Sequence, residues 1–249
     1  MKAEIISIGT ELLMGELTDT NATFIASRLP ALGIQLQWVS QIGDNLDMLS
    51  EAIRRGLERS DVIFTSGGLG PTQDDLTREA IAKALGEEMR VRDDLLEHLK
   101  ENFRRRGTDM PATNIKQATI IPSAQSLPNV RGTAPGWWVE RDGKYIVTMP
   151  GPPVELQGIW QEEVVLRLLK VARGEVILTR NIKTSGVSEG AIDEMVTQYL
   201  GKDNPYLGIY SKADGIHLRV IARAATEEAA RNLIRPVEEG IVSILAPQI

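Results

Sequence analysis

The sequence predicts an α/β protein: a three-layer, mostly parallel sheet covered by helices, followed by a second, smaller α+β domain. Three observations carry this. Short, nearly continuous apolar runs alternate with segments whose apolar residues recur near a spacing of 3.6, the pattern of parallel strands joined by crossover helices. Three of those runs, ending at Ile8, Thr65 and Met149, open directly into conspicuous loops. Near residue 172 the order changes to strand, helix, strand, strand, helix, which places a boundary between domains 1–171 and 172–249.

The elements follow in turn. Ile5, Ile6 and Ile8 mark a first strand ending at Gly9, and Ala22, Ile25, Leu29 and Leu32 mark a helix starting near Asn21. A strand over residues 34–39 precedes a helix with Leu46, Leu49, Ile53 and Leu57 on one face, capped by Asp44 or Asn45. Asp61-Val62-Ile63-Phe64-Thr65 reads as an interior parallel strand. Helices carrying Ala80, Ile81, Ala84 and Leu85, and then Leu95, Leu99 and Phe103, stop at Gly86 and Gly107. Residues 109–131 read as loops and short turns. A strand over 144–149 leads through Pro150-Gly151-Pro152-Pro153 into a helix whose inner face holds Leu156, Trp160 and Val164. In the second domain, strands are expected over 176–184, 206–210 and 216–222, with helices over 189–200 and 226–245, the last kinked at Pro236.

Composition narrows the function. A net charge of −6 argues against a non-specific nucleic-acid binder, since such proteins carry a basic footprint. Arg104, Arg105 and Arg106 fall in the last turn of a predicted helix, where cations complement the dipole. The absence of cysteine excludes disulfides and thiolate chemistry. No stretch approaches the ~20 apolar residues of a membrane helix, and the first strand begins almost at once, so a cytoplasmic location without a leader is expected. His98 and His217 are isolated and read as surface or edge residues.

The strongest local signal is Gly67-Gly68-Leu69-Gly70-Pro71-Thr72-Gln73-Asp74-Asp75-Leu76-Thr77. Glycines at a strand end admit unusual backbone angles, and the helix start beyond offers amides and a dipole suited to phosphate. Thr72 is the expected cap of that helix, with Asp75 three residues later. Beside a phosphate, Asp74 or Asp75 requires a magnesium-like cation to offset the repulsion of like charges. The first loop adds Gly9, Thr10, Glu11, Asp19 and Asn21. Asp44 stands at another strand-to-helix junction, and later loops add Lys116, Gly132, Thr133 and Gly151. Lys116 is a point charge suited to phosphate. Trp137 and Trp138 offer a stacking surface, although a strand beginning after Gly136 turns one of them inward. The set suits a small phosphate-bearing nucleotide or pterin ligand.

These ordered blocks (residues 8–13, 19–21, 43–45, 67–77, 132–136 and 150–155) together resemble the amino-terminal part of the CinA competence/damage-inducible family, with its molybdopterin-binding-like domain. The resemblance implies metal-dependent hydrolysis of the ADP-ribose pyrophosphate; the alternative is a molybdopterin- or nucleotide-binding protein without turnover. It implies ligand or metal handling by Asp75 and Asp44, with Mg2+ or Mn2+ between them and the diphosphate and with Glu11 or Asp74 orienting water. Full-length family members often continue into a nicotinamide-mononucleotide deamidase domain, and no deamidase activity is expected of these 249 residues. Self-association as a homodimer is also implied. Light scattering at micromolar concentration should then give twice the chain mass; a monomer mass contradicts the expectation.

Overall fold

The computed structural model describes residues 1–172 and 176–246. It divides into two compact units: Met1–Leu29 with Gln35–Ala172, and Pro30–Ile34 with the described residues after Ala172.

In the first unit, β1 (Lys2–Ile8), β2 (Gln35–Ile42), β3 (Val62–Ser66), β6 (Ala124–Leu127), β7 (Gly136–Arg141) and β8 (Lys144–Met149) form one sheet in the order β2-β1-β3-β8-β7-β6. The first four in that order are mutually parallel, and β7 and β6 extend the sheet antiparallel. Because β1, β3 and β8 run side by side in one direction, the loops that leave them emerge at the same edge.

Both faces are covered over the inner strands β1 and β3, which are buried on both sides, whereas the edge strand β2 is largely exposed. Ile6 and Ile63 belong to a core built with α3 (Leu46–Arg59) and α4 (Thr77–Leu85), through Leu49, Ile53, Ala80 and Ile81. Gly56, in the middle of α3, lets the helix lie close to the sheet, since a Cβ there would stand 2.7 Å from Ile63 Cδ1. On the opposite face Phe64 and Phe24 pack against Trp160, bringing α2 (Thr20–Arg28) and α6 (Pro153–Ile159) together. Trp160–Val164 forms a wide helical turn between α6 and α7 (Val165–Val171). Trp137 and Trp138 are both buried, one on each side of the sheet, which removes the stacking surface expected of them. Glu4, also buried, is held by two hydrogen bonds from Arg59, at 2.9 and 2.6 Å, and that guanidinium lies over the Trp38 ring.

Several elements depart from the sequence expectation. Thr10–Leu13 is a short helix, α1, where a loop was expected. Residues 109–131 hold more order than loops: a tight helical stretch, Ala112–Ala118, precedes β5 (Thr119–Ile120), which pairs with β4 (Arg90–Val91), and then β6. These strands have two to four residues, too few for alternation to register. The arginine run closes α5 (Asp93–Arg105), as expected.

The second unit has an antiparallel sheet, β10-β11-β9, made of β9 (Val176–Thr184), β10 (Tyr206–Lys212) and β11 (Gly215–Ala224). Ser188 caps α8 (Glu189–Val196) and Thr226 caps α9 (Glu227–Leu245), which continues through Pro236. Leu218, Val220, Ile192, Ile234 and Ile241 lie at the centre of the core. His217 corrects the expectation of a surface or edge histidine. It is buried in the central strand, with Nδ1 3.0 Å from Asn181 Nδ2 and Nε2 3.0 Å from Asp214 Oδ1.

Lys183 and His217 hold the Asp214 carboxyl down at about 2, below its ordinary 3.8. A carboxyl depressed in the folded state contributes stability above its unfolded value, and that contribution is lost as pH falls through the folded one. Thermal unfolding of the original protein and Asp214→Asn should therefore differ most above pH 4 and converge between pH 4 and about 2. A difference that stays constant over this window contradicts the assignment.

Candidate functional site

The loop after β3 is shaped by where its carbonyls go. Gly67 and Gly68 have φ of 104° and 64°, in the region that favours glycine. A Cβ on either would collide, 2.2 Å from Ile8 O at Gly67 and 2.3 Å from Thr77 Oγ1 at Gly68. So placed, Gly67 O accepts from Thr77 Oγ1 at 2.7 Å, Gly68 O from Thr77 N at 3.1 Å, and Leu69 O from Arg78 Nη1 at 2.8 Å. Three successive carbonyls thus turn back toward the start of α4. In a trans peptide the following N–H points the opposite way, so the amides of Gly68, Leu69 and Gly70 face away from the helix. The Gly70 amide donates to Asp75 Oδ1 at 2.8 Å. Those of Gly68 and Leu69 have no protein acceptor among the described residues. Adjacent free amides of this kind form an anion-binding concavity.

This arrangement corrects the expected helix-start site. α4 begins at Thr77, and Thr72 does not cap it. Thr72 belongs instead to a brace around Asp75, whose Oδ2 accepts the Thr72 amide at 2.9 Å and also the Thr72 hydroxyl. That hydroxyl is shared with Asp74. It holds the Asp74 carboxyl below its usual range, aided by the Asp74 backbone amide.

Asp44 is fixed from the first loop. Its Oδ2 accepts the Thr10 amide at 2.9 Å and the Thr10 hydroxyl at 2.8 Å, and its own amide donates to Thr10 Oγ1 at 3.2 Å. The capping of α3 falls to Asn45, which accepts from Asp47 N and Met48 N.

These loops enclose a cleft of about 360 Å³ at the carboxyl edge of the sheet. Of the residues singled out in the sequence, Gly9, Glu11, Asp44, Gly67, Gly68, Gly70, Thr72, Asp74, Asp75, Thr133 and Gly151 line it. Thr10 stands behind Asp44. Asp19 and Asn21 line a neighbouring cavity of about 490 Å³ that shares Ile8, Glu11, Gly151 and Pro152 with the cleft. There Asp19 caps α2, and Asn21 donates to Ser66 Oγ and Gly151 O.

Lys116 and Gly132 do not reach the cleft either. Lys116 is committed to Glu79 and the Thr72 carbonyl, each at 3.0 Å, so it braces the loop from outside. Gly132 donates its amide to Asn129 Oδ1, and a Cβ there would stand 2.0 Å from Glu155 Oε2. A side chain at 132 would have to displace the Glu155 carboxylate or the Asn129 amide.

Sequence reasoning gave Glu155 and Arg78 no role of their own. Glu155 lines the cleft from the first turn of α6, a position that favours an acid, and accepts from Asn129 at 2.6 Å. Arg78 lies wholly buried behind the loop.

The lining therefore carries Glu11, Asp44, Asp74, Asp75 and Glu155 and not one lysine, arginine or histidine. Among the described residues no three acids or histidines stand close enough to hold a metal. Asp44 engages only Oδ2 in hydrogen bonds, which leaves its Oδ1 for another partner.

Comparison with known proteins gives the family. Residues 4–170 match the model of a probable molybdopterin binding domain, and residues 179–249 that of the damage-inducible protein CinA KH domain. A CinA-like protein of Thermomicrobium roseum is 48% identical over 241 residues, covering 97% of this chain. The chain belongs to the CinA family. Another CinA-like protein, from Deinococcus deserti, is 45% identical over 98% of this chain. This chain spans about 60% of the length of these relatives, 59% and 60% respectively. The solved structure of CinA from Thermoplasma acidophilum is 36% identical, with a TM-score of 0.63 over 67% of this chain and 97% of that one. Among the described residues no helix of this CinA-family chain is long and apolar enough to cross a membrane.

Asp75→Asn tests the brace. The amide side chain keeps one acceptor oxygen and turns an NH2 group toward donors, so at least one charge-assisted bond is lost. Denaturant unfolding should show a loss of about 1.5–3 kcal/mol. An unchanged midpoint contradicts the brace.

Proposed function

We propose that the first unit binds a phosphate-bearing ligand of nucleotide or pterin type, with a phosphate on the Gly68 and Leu69 amides. One observation carries this reading: three carbonyls are bonded to the start of α4, and two adjacent amides on the other side of those peptides have no acceptor among the described residues. The family description, a probable molybdopterin binding domain, supports the ligand class.

Charge decides the next point. An anion in a cleft lined by five carboxylates and no cationic side chain meets repulsion from every side. Mg2+ or Mn2+ arriving with the ligand would neutralise that charge, with Asp44 as the protein ligand and Asp75 holding the loop.

A second reading is hydrolysis of the ADP-ribose pyrophosphate. Glu11 favours it, because its carboxylate lines the cleft and accepts no hydrogen bond among the described residues. In this reading Glu11 orients water, with Asp74 the other candidate. Water adds at one phosphorus, the bridging P–O bond breaks, and AMP and ribose 5-phosphate leave.

Calorimetry with ADP-ribose and with inorganic pyrophosphate, each with and without Mg2+, tests the proposal. Binding should require the cation, and Asp44→Ala should weaken it tenfold or more, about 1.4 kcal/mol. Absence of binding by both probes in the folded protein overturns the reading. Mass analysis of the same mixtures separates the two forms: AMP and ribose 5-phosphate mark hydrolysis, and unchanged ADP-ribose marks a binding protein.

A further inference from the structure

Arg78 is a buried charge that does not line the cleft. It is the second residue of α4, with no exposed surface. Among the described residues no carboxylate forms an ion pair with it, and its Nε has no hydrogen-bond partner. Its guanidinium instead spans two chain segments, donating from Nη1 to Leu69 O at 2.8 Å and from Nη2 to Pro135 O at 3.0 Å. The group lies 5.8 Å from the centre of the Trp137 ring. Glu79 and Asp75 lie near enough to favour its charge, but an arginine buried without a direct salt bridge is costly to keep, and a packed apolar side chain would serve a core better.

We propose that Arg78 is a positioning residue of the cleft: its buried guanidinium ties the glycine loop to Pro135 and sets where the amide of Gly70 faces, while Thr77 holds the two peptides before it. The Leu69 carbonyl and the Gly70 N–H belong to one peptide plane. Holding the carbonyl on Arg78 aims the N–H at Asp75 Oδ1. Pro135 follows Thr133 and Ala134, both in the cleft wall, so the other arm of the guanidinium anchors the facing side. A lysine offers one ammonium and no fork, and cannot hold two segments in this geometry. Burial pushes Arg78 down from 12.5 to about 10, so it stays a cation at neutral pH. A fixed positive charge behind the loop also favours an anion in front of it.

The inference rests on the reading that phosphate binds at this loop, and the experiment separates the two. Amide hydrogen exchange is followed for Gly70 and Thr72 in the ligand-free full chain, alongside calorimetry with inorganic pyrophosphate and Mg2+. Arg78→Lys and Arg78→Met should speed exchange of these two amides at least tenfold, with β1, β3 and β8 still protected, and weaken pyrophosphate binding at least tenfold. In Arg78→Ala, millimolar guanidinium should restore part of both, while leaving the original protein unchanged. Unaltered exchange at Gly70 and Thr72 in Arg78→Lys and Arg78→Met overturns the proposal, as does an even loss of protection across the whole sheet, which marks a core role. If the original protein does not bind pyrophosphate, the phosphate reading fails, and the exchange data still decide whether Arg78 positions the loop.

Discussion

The candidate site depends on one constraint: the carbonyls of Gly67, Gly68 and Leu69 all point at the first two residues of α4. A backbone carbonyl buried without a donor is unfavourable, so the start of α4 and the glycine loop determine each other. Thr77 supplies a hydroxyl and an amide, and Arg78 supplies the donor that reaches farthest. Once those carbonyls are satisfied, the Gly70 amide on the opposite side goes to Asp75, and those of Gly68 and Leu69 find no acceptor among the described residues. The free amides in the cleft are the other side of a fully bonded loop.

The surrounding carboxylates divide by the bonds they already make. Asp75 receives Gly70 and Thr72, and Asp44 receives Thr10, so both hold the backbone of their loops. Glu155 holds the Asn129 side chain, and only Glu11 is without a bond among the described residues. An acid that shapes a loop can still face a ligand, because each carboxylate oxygen has a second lone pair. Asp44 and Asp75, read from the sequence as metal ligands, serve as loop braces.

Much of the fold was legible because its inner strands are buried on both faces. Ile5, Ile6 and Ile8, and Val62, Ile63 and Phe64, are fully or almost fully buried, and both runs lie in the interior of the sheet. The meeting of the loops after Ile8, Thr65 and Met149 follows from the parallel direction of β1, β3 and β8. The short pairs β4 and β5 carry no periodic signal. Thr72 misled because a threonine three residues before an acid has the form of a cap, whereas the helix starts five residues later, at Thr77. Arg78 was illegible for a different reason. A charged residue in the first turns of a helix reads as solvated, and only the three-dimensional approach of residue 135 reveals what it bridges.

The most direct test of this account is a titration of the 15N-labelled protein with ADP-ribose and Mg2+, followed amide by amide. The Gly68 and Leu69 resonances should shift saturably and together, by more than those of any strand residue of the sheet. A ligand that binds while these two amides keep their free positions contradicts the claim that the glycine loop receives the phosphate.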